Sequence, residues 1–165
     1  MPSLRCFTSK LAGSKVFSKF DLRSGYYQIP LSPQASAKTV TVTPWGSWRF
    51  TRLPMGIRNA AQSLQKMMDH VISGLGQVYC YMDDLLVFTP TEEEHLTVVE
   101  ELFRRLEASG LAIHPDKAHY ARSQLEFLGF NISQNGITPL SKKVEAITNI
   151  PPQGPPRTFW GFWGR

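Results

Sequence analysis

The sequence predicts an α+β fold in which an antiparallel sheet is covered by helices on one face. Three observations lead there. Residues 39–52 and 78–88 gather β-branched and aromatic residues around turn-forming breaks, the pattern of β-hairpins. Residues 59–75 and 91–106 repeat apolar side chains at helical spacing. The elements also follow one another as strand, hairpin, helix, hairpin, helix and short strands, with no internal repeat.

Taken in order, residues 1–13 are indistinct, with room for one helical turn ending at Gly13. Val16 to Phe20 reads as a strand, with Asp21 at its exit. Ser24 to Gln28 turns the chain, and Pro30 with Pro33 prevents a long helix. Lys38 to Thr43 alternates as a half-buried strand, Pro44 to Ser47 carries turn chemistry, and Trp48 to Arg52 alternates again. Asn59 with Gln62 has the spacing of a capping box. Leu64, Met67, Met68, Val71, Ile72 and Leu75 follow as the buried stripe of a helix that Gly74 and Gly76 end. Thr91 with Glu94 is a second capping box, before a stripe of Leu96, Val99, Leu102, Phe103 and Leu106 and a stop near Gly110. Glu92, Glu93 and Glu94 complement the dipole of that helix and need no functional explanation. Strands are expected at Leu111–Ile113 and Leu125–Ile132, then a turn at Gln134-Asn135-Gly136 and a short helix from Ser141 to Ile147. We expect one domain over residues 1–150 and an irregular Pro- and Trp-rich tail over 151–165.

Composition narrows the class. At 165 residues the chain has room for one domain with a core, and 42% hydrophobic with 19% charged residues describes a globular protein. A net charge of +5 favours a polyanionic partner slightly, since the basic residues are scattered. Cys6 and Cys80 make no disulfide framework, which points to a reducing, intracellular setting, cytoplasm or nucleus. No apolar stretch reaches the roughly 18 residues of a membrane span, so no membrane partner is expected. His70, His95, His114 and His119 show no metal-ligand spacing.

The chemistry centres on Val78 to Phe88, where Asp83 and Asp84 interrupt an apolar run at its expected turn. An Asp pair can simply mark a hairpin tip. Here apolar neighbours on both sides would desolvate two like charges, which is costly unless a cation arrives. If the Val16–Phe20 strand pairs beside this hairpin, Asp21 joins them at one rim of the sheet. Hard carboxylate oxygens suit Mg²⁺, and two such ions about 3.5–4 Å apart support phosphoryl transfer.

Four ordered motifs resemble one known family. They are Phe20-Asp21-Leu22-Arg23-Ser24-Gly25-Tyr26-Tyr27-Gln28-Ile29, Leu53-Pro54-Met55-Gly56-Ile57-Arg58-Asn59-Ala60, Tyr81-Met82-Asp83-Asp84 and Phe127-Leu128-Gly129. Together they resemble the reverse transcriptases, and among those the gypsy-type LTR retrotransposon polymerases, over roughly residues 8 to 150. The resemblance implies a polymerase-like palm, an RNA-directed DNA polymerase adding dNTPs to a primer 3′-OH on an RNA or DNA template, and Mg²⁺, with Mn²⁺ as a substitute. It implies that Asp21, Asp83 and Asp84 are the catalytic metal carboxylates, with Asp21 and Asp83 the principal ligands. Tyr26 would screen the sugar 2′ position, and Leu22, Arg23, Ser24 and Gly25 would offer backbone N–H groups to the triphosphate. Met55 and Gly56 would border nucleotide and template, Phe127, Leu128 and Gly129 would grip the primer, and Lys117 would protonate leaving pyrophosphate.

The resemblance also has limits. Family polymerases carry a fingers segment upstream and a thumb downstream, and the final Phe159-Trp160-Gly161-Phe162-Trp163 departs from their pattern. The expectation is a palm with most of the fingers missing, from a truncated or frame-altered copy. The remaining polymerase segments, or another chain, would then be partners. Three working states stay open: an active palm, a nucleic-acid-binding module without catalysis, and an inactive remnant.

Overall fold

The computed structural model describes residues 10–140. Its centre is a four-stranded sheet of order β4-β5-β1-β6, formed by β1 (Val16–Asp21), β4 (Val78–Tyr81), β5 (Asp84–Thr89) and β6 (His119–Arg122). All its pairings are antiparallel. Side chains alternate across a strand, so each one feeds two layers. Phe20, Leu85, Val87, Val78 and Cys80 face two helices, α3 (Ala60–Val71) and α4 (Glu92–Ala108), and meet Leu64, Met68, Leu102 and Leu106. Phe17, Tyr79, Leu86 and Phe88 face the other way and meet Leu125, Phe127 and Ile132. Those three belong to a second antiparallel sheet of β7 (Gln124–Phe127), β8 (Phe130–Ser133) and β9 (Gly136–Pro139). The α+β reading therefore holds with one addition: the face opposite the helices is partly roofed by a small sheet.

Several local expectations change. The expected strand over 125–132 is a hairpin, because Leu128 (φ 50°) and Gly129 (φ 81°) both enter the left-handed region and reverse the chain. Leu111–Ile113 contributes only an isolated bridge between Leu22 and Ile113, and β6 takes the sheet edge instead. Nothing apolar alternates in β6, whose four residues are all exposed, so periodicity gave no sign of it. Ser24–Gln28 contains a short helix, α1 (Gly25–Gln28), and Pro33 opens another, α2 (Pro33–Ala37), capped by the Ser32 hydroxyl.

The first hairpin, β2 (Val40–Thr43) with β3 (Gly46–Arg49), forms as a separate sheet. Its turn is Pro44-Trp45 alone, since Thr43 already pairs with Gly46. Half-burial is not observed: Val42 is 78% exposed and Trp48 64%. Alternation sets which residues share a face, but only a covering layer buries that face. The helix expected at Ser141–Ile147 and the tail at 151–165 lie outside the described residues.

The caps differ in detail. Asn59 makes no side-chain capping bond. Thr91 Oγ1 accepts from the Glu94 N–H at 3.3 Å, while the Glu94 carboxylate turns away to accept from Gln77. The stripe of α4 is rotated from its expected position, so that Leu96 is 66% exposed and His95 and Val98 point inward. His95 explains the rotation. Thr89 Oγ1 donates to the Thr91 carbonyl, so its oxygen must accept from His95 Nδ1–H at 2.9 Å. That leaves His95 Nε2 to accept the Ser18 hydroxyl at 2.7 Å, and Ser18 Oγ to accept the Ala121 N–H at 2.9 Å. The network ties α4 to β1, β5 and β6 and is complete only with a neutral imidazole.

Burial holds His95 below its ordinary value of 6.5. Such a group binds fewer protons folded than unfolded, so its stabilisation is complete above about pH 6.5 and is lost as pH falls toward the lowered value. The urea midpoint is expected to drop between about pH 7 and about pH 5.5, with a shallower drop in His95→Gln. Equal pH dependence in the two proteins would contradict this.

Candidate active site

The register of β1 against β5 sets Asp21 directly opposite Asp84. Asp83 lies beside them in the two-residue turn Met82-Asp83, which joins β4 to β5 where Tyr81 pairs with Asp84. Met82 takes the positive φ of 54° that such a turn needs, without being glycine. The Leu22 N–H donates to the Asp83 carbonyl at 2.9 Å and closes the turn onto the end of β1. The three carboxylates thus gather along one rim of the sheet, as expected.

Their surroundings are unfavourable to charge. Asp83 Oδ1 is buried and has no hydrogen-bond partner among the described residues. Gly25 makes room for it: a Cβ built there would overlap Oδ1 and stand 3.0 Å from Cγ. Burial, and then the Asp21 charge, push the Asp83 carboxyl above its ordinary value. Asp84 is also raised, first by burial and then through its hydrogen bond with Asp21, while Lys19 pulls it down. Lys19 Nζ stands 3.1 Å from Asp84 Oδ1 and 6.0 Å from the centre of the Phe127 ring. Lys117 Nζ stands 3.7 Å from Asp21 Oδ2, with a side chain 62% exposed. Asp21 and Asp84 each have a lysine, and Asp83 at the turn has none among the described residues.

A divalent cation fits this donor set. The oxygens are hard, one is orphaned, and the raised carboxyls are those a cation would relieve. The described residues do not, however, form a closed cluster of three ligands. Asp21 and Asp84 share a hydrogen bond, each with a lysine nearby, and Asp83 feels the Asp21 charge.

The remaining site residues divide into two groups. Tyr26, on α1, points its hydroxyl at Met82 Sδ at 4.0 Å, so the ring lies against the carboxylate turn. The Leu22 and Arg23 N–H groups are not available to a phosphate, a correction to their expected role. They donate to the Asp83 and Ala112 carbonyls and hold the site together. Met55 and Gly56 lie apart from the carboxylates, in a cleft of about 690 Å³ between the β2–β3 hairpin and α3, with Tyr27 from α1 in its lining. Phe127 is buried edge-on against Tyr79, and Leu128-Gly129 forms the turn above it.

Sequence reading missed three residues here. Lys19 shares the face of Asp21 two positions away, a signal that was present. Gln28 Nε2 donates to the Arg23 and Ala112 carbonyls, and its Oε1 accepts from Ala112 N–H at 2.6 Å, fixing the loop after Asp21. Gln65 is polar at a core-facing position of α3 and is 5% exposed.

An antiparallel sheet with acidic side chains at a hairpin tip, helices on one face and a small sheet over the other is the palm of a polymerase. The reverse transcriptase (RNA-dependent DNA polymerase) family matches residues 1–132, and the chain belongs to that family. It is 37% identical over 153 residues to the retrovirus-related Pol polyprotein from transposon 412 of Drosophila melanogaster, and 32% identical over 153 residues to that from transposon gypsy of the same organism. Each alignment covers 92% of this chain but only 12% and 15% of the relatives, so the chain spans about an eighth of their length. Among solved structures, the foamy viral protease-reverse transcriptase in complex with double-stranded DNA superposes with a TM-score of 0.83. That alignment has 26% identity and covers 94% of this chain and 27% of the other. The foamy viral enzyme in complex with an RNA/DNA hybrid gives a TM-score of 0.75 at 28% identity, over 86% and 19%.

The raised carboxyls have a measurable consequence. A group whose folded value exceeds its unfolded one stabilises below the unfolded value, and that contribution is lost as pH rises through the folded one. At neutral pH the ionised Asp83 therefore weighs against the fold. Asp83→Asn is expected to melt a few degrees higher than the parent at pH 7 without divalent cations, the gap closing at about pH 4. A variant that melts lower than its parent at pH 7 would contradict the assignment.

Proposed function

We propose that this chain carries the nucleotidyl-transfer centre of an RNA-directed DNA polymerase, joining a dNTP to a primer 3′-OH along an RNA or DNA template. The observation that supports it most is the orphaned Asp83 Oδ1, held at the turn beside Asp84 in a pocket only glycine at position 25 leaves open. Asp21, Asp83 and Asp84 would hold Mg²⁺, or Mn²⁺ in its place, Asp83 being the carboxylate with no competing lysine among the described residues. When bound, such ions lower the pKa of an attacking hydroxyl and neutralise charge on a transferring phosphoryl group.

The chain's own residues supply position. Tyr26 stands beside the turn, and a ring there under the ribose would leave no room for a 2′-hydroxyl. Of the loop after Asp21, Ser24 and Gly25 are left to offer N–H groups to the triphosphate. Lys117, 3.7 Å from Asp21 Oδ2, would give a proton to departing pyrophosphate. Met55 and Gly56 would border the template side through the adjacent cleft, and Phe127, Leu128 and Gly129 would steady the primer end.

A second reading, duplex binding without catalysis, draws on charge. Residues 22–58 contain Arg23, Lys38, Arg49, Arg52 and Arg58 and no acidic residue, which matches the net +5 of the whole chain. Single-nucleotide incorporation separates the readings. With Mg²⁺ the chain is expected to extend a primer on RNA, Asp83→Ala to lose at least about a hundredfold in rate, and Tyr26→Ala to admit ribonucleotides at least about tenfold more readily. No incorporation at high chain and template concentrations, with salt-sensitive duplex binding unchanged in Asp83→Ala, would favour the binding module.

A further inference from the structure

We infer that Gln65 is the positioning residue of the carboxylate turn, an amide clamp that holds the backbone of residues 80–82 so that Asp83 projects at the rim. The inference rests on the proposed role of Asp83 in holding a cation. Gln65 occupies a core-facing place on α3 among Leu64 and Met68, where an apolar side chain would otherwise pack. Its Oε1 accepts the Met82 N–H at 2.9 Å. Its Nε2 donates to the Cys80 carbonyl at 3.1 Å and to Asp69 Oδ1 at 2.8 Å. The opposite amide orientation would set oxygen against a carbonyl and a carboxylate, so Asp69 fixes the way the clamp faces. A carboxamide carries both the acceptor for the Met82 N–H and the donor for the Cys80 carbonyl.

The clamp is placed where the turn needs it. Met82 is a non-glycine residue at φ 54°, a conformation that persists only when its surroundings impose it. Gln65 holds the turn from the helix side, while the Leu22 N–H holds the Asp83 carbonyl from the strand side. The Cys80 thiol adds a contact of 3.3 Å to the Met82 carbonyl, and burial pushes its pKa up to about 12, so it stays protonated. Asp83 therefore sits between two anchors, one of them a side chain on the helix that follows Met55 and Gly56. Loss of Gln65 would leave a buried N–H and a buried carbonyl unpaired at the turn itself.

The test uses the full chain with Gln65→Met, which keeps length and volume, Gln65→Glu, which keeps the acceptor for Met82 N–H, and Leu106→Ala as a core-destabilised control. Hydrogen exchange is read at the Met82 amide and at Leu85 and Val87 in β5, and Mn²⁺ alone is titrated by electron paramagnetic resonance. In Gln65→Met the Met82 amide is expected to exchange at least tenfold faster while Leu85 and Val87 keep their rates. Gln65→Glu is expected to fall between it and the parent. Mn²⁺ binding is expected to weaken at least fivefold in Gln65→Met and to change less than twofold in Leu106→Ala. Unchanged Met82 exchange in both Gln65 variants, or Mn²⁺ binding weakened equally in Gln65→Met and the control, would overturn the inference. If Gln65→Met does not fold, Gln65→Glu alone decides by the same criteria. A parent chain that binds no Mn²⁺ would instead refute the cation reading of Asp83, and the exchange rates would still decide the clamp.

Discussion

The antiparallel pairing of β1 with β5 fixes Asp21 opposite Asp84, and the rest of the site depends on that register. Because side chains alternate, the same pairing sends Phe20, Leu85 and Val87 into the helix layer and Phe17, Leu86 and Phe88 under the small sheet. A slip of either strand by one residue would carry its carboxylate into the helix core and its apolar set into the wrong layer. The core therefore enforces the geometry of the rim. Apolar burial contributes on the order of 25 cal/mol per Å², and residues such as Phe17, Phe20, Leu85 and Leu86 are wholly buried, so the register has a strong guarantor.

The site spends part of that stability. Asp83 and Asp84 are raised by burial, and among the described residues three of the four non-glycine residues with positive φ are Ser24, Met82 and Leu128, at the loop, the turn and the β7–β8 hairpin. Backbone strain of about 1–3 kcal/mol per residue persists only where neighbouring contacts fix it. Here those contacts are Gln65 and the Leu22 N–H at the turn, Gln28 at the loop, and Phe127 packed on Tyr79 beneath the hairpin. Lys19 links the regions, reaching from Asp84 to the Phe127 ring. Charge and strain collect at the rim because two packed layers hold it from below.

Much of this was legible in the residues. The strand at Val16, the acidic hairpin, both long helices and the rim of Asp21, Asp83 and Asp84 follow from periodicity and from carboxylates placed at strand ends. What could not be read was tertiary. Val40 and Val42 alternate correctly, yet no layer of the described residues covers them. His95 displaced Leu96 from the buried stripe because Ser18 and Thr89, on two neighbouring strands of the sheet, supply its partners. Gln65 and Gln28 escaped notice because an amide gains meaning only when the carbonyls and N–H groups it meets are known. The Leu22 and Arg23 amides were given to a phosphate by family resemblance, and the fold had already used them.

On the proposed function, Asp83, the carboxylate without a lysine among the described residues, is the first to take a cation. Substoichiometric Mn²⁺ added to isotope-labelled chain tests it through paramagnetic broadening of amide signals. The account predicts that Asp83, Asp84 and Gly25 broaden first and Asp21 with them, while Glu92, Glu93 and Glu94 at the start of α4 stay sharp. Broadening that begins at those glutamates, or at the Met55–Gly56 cleft, with the turn unaffected, would contradict it.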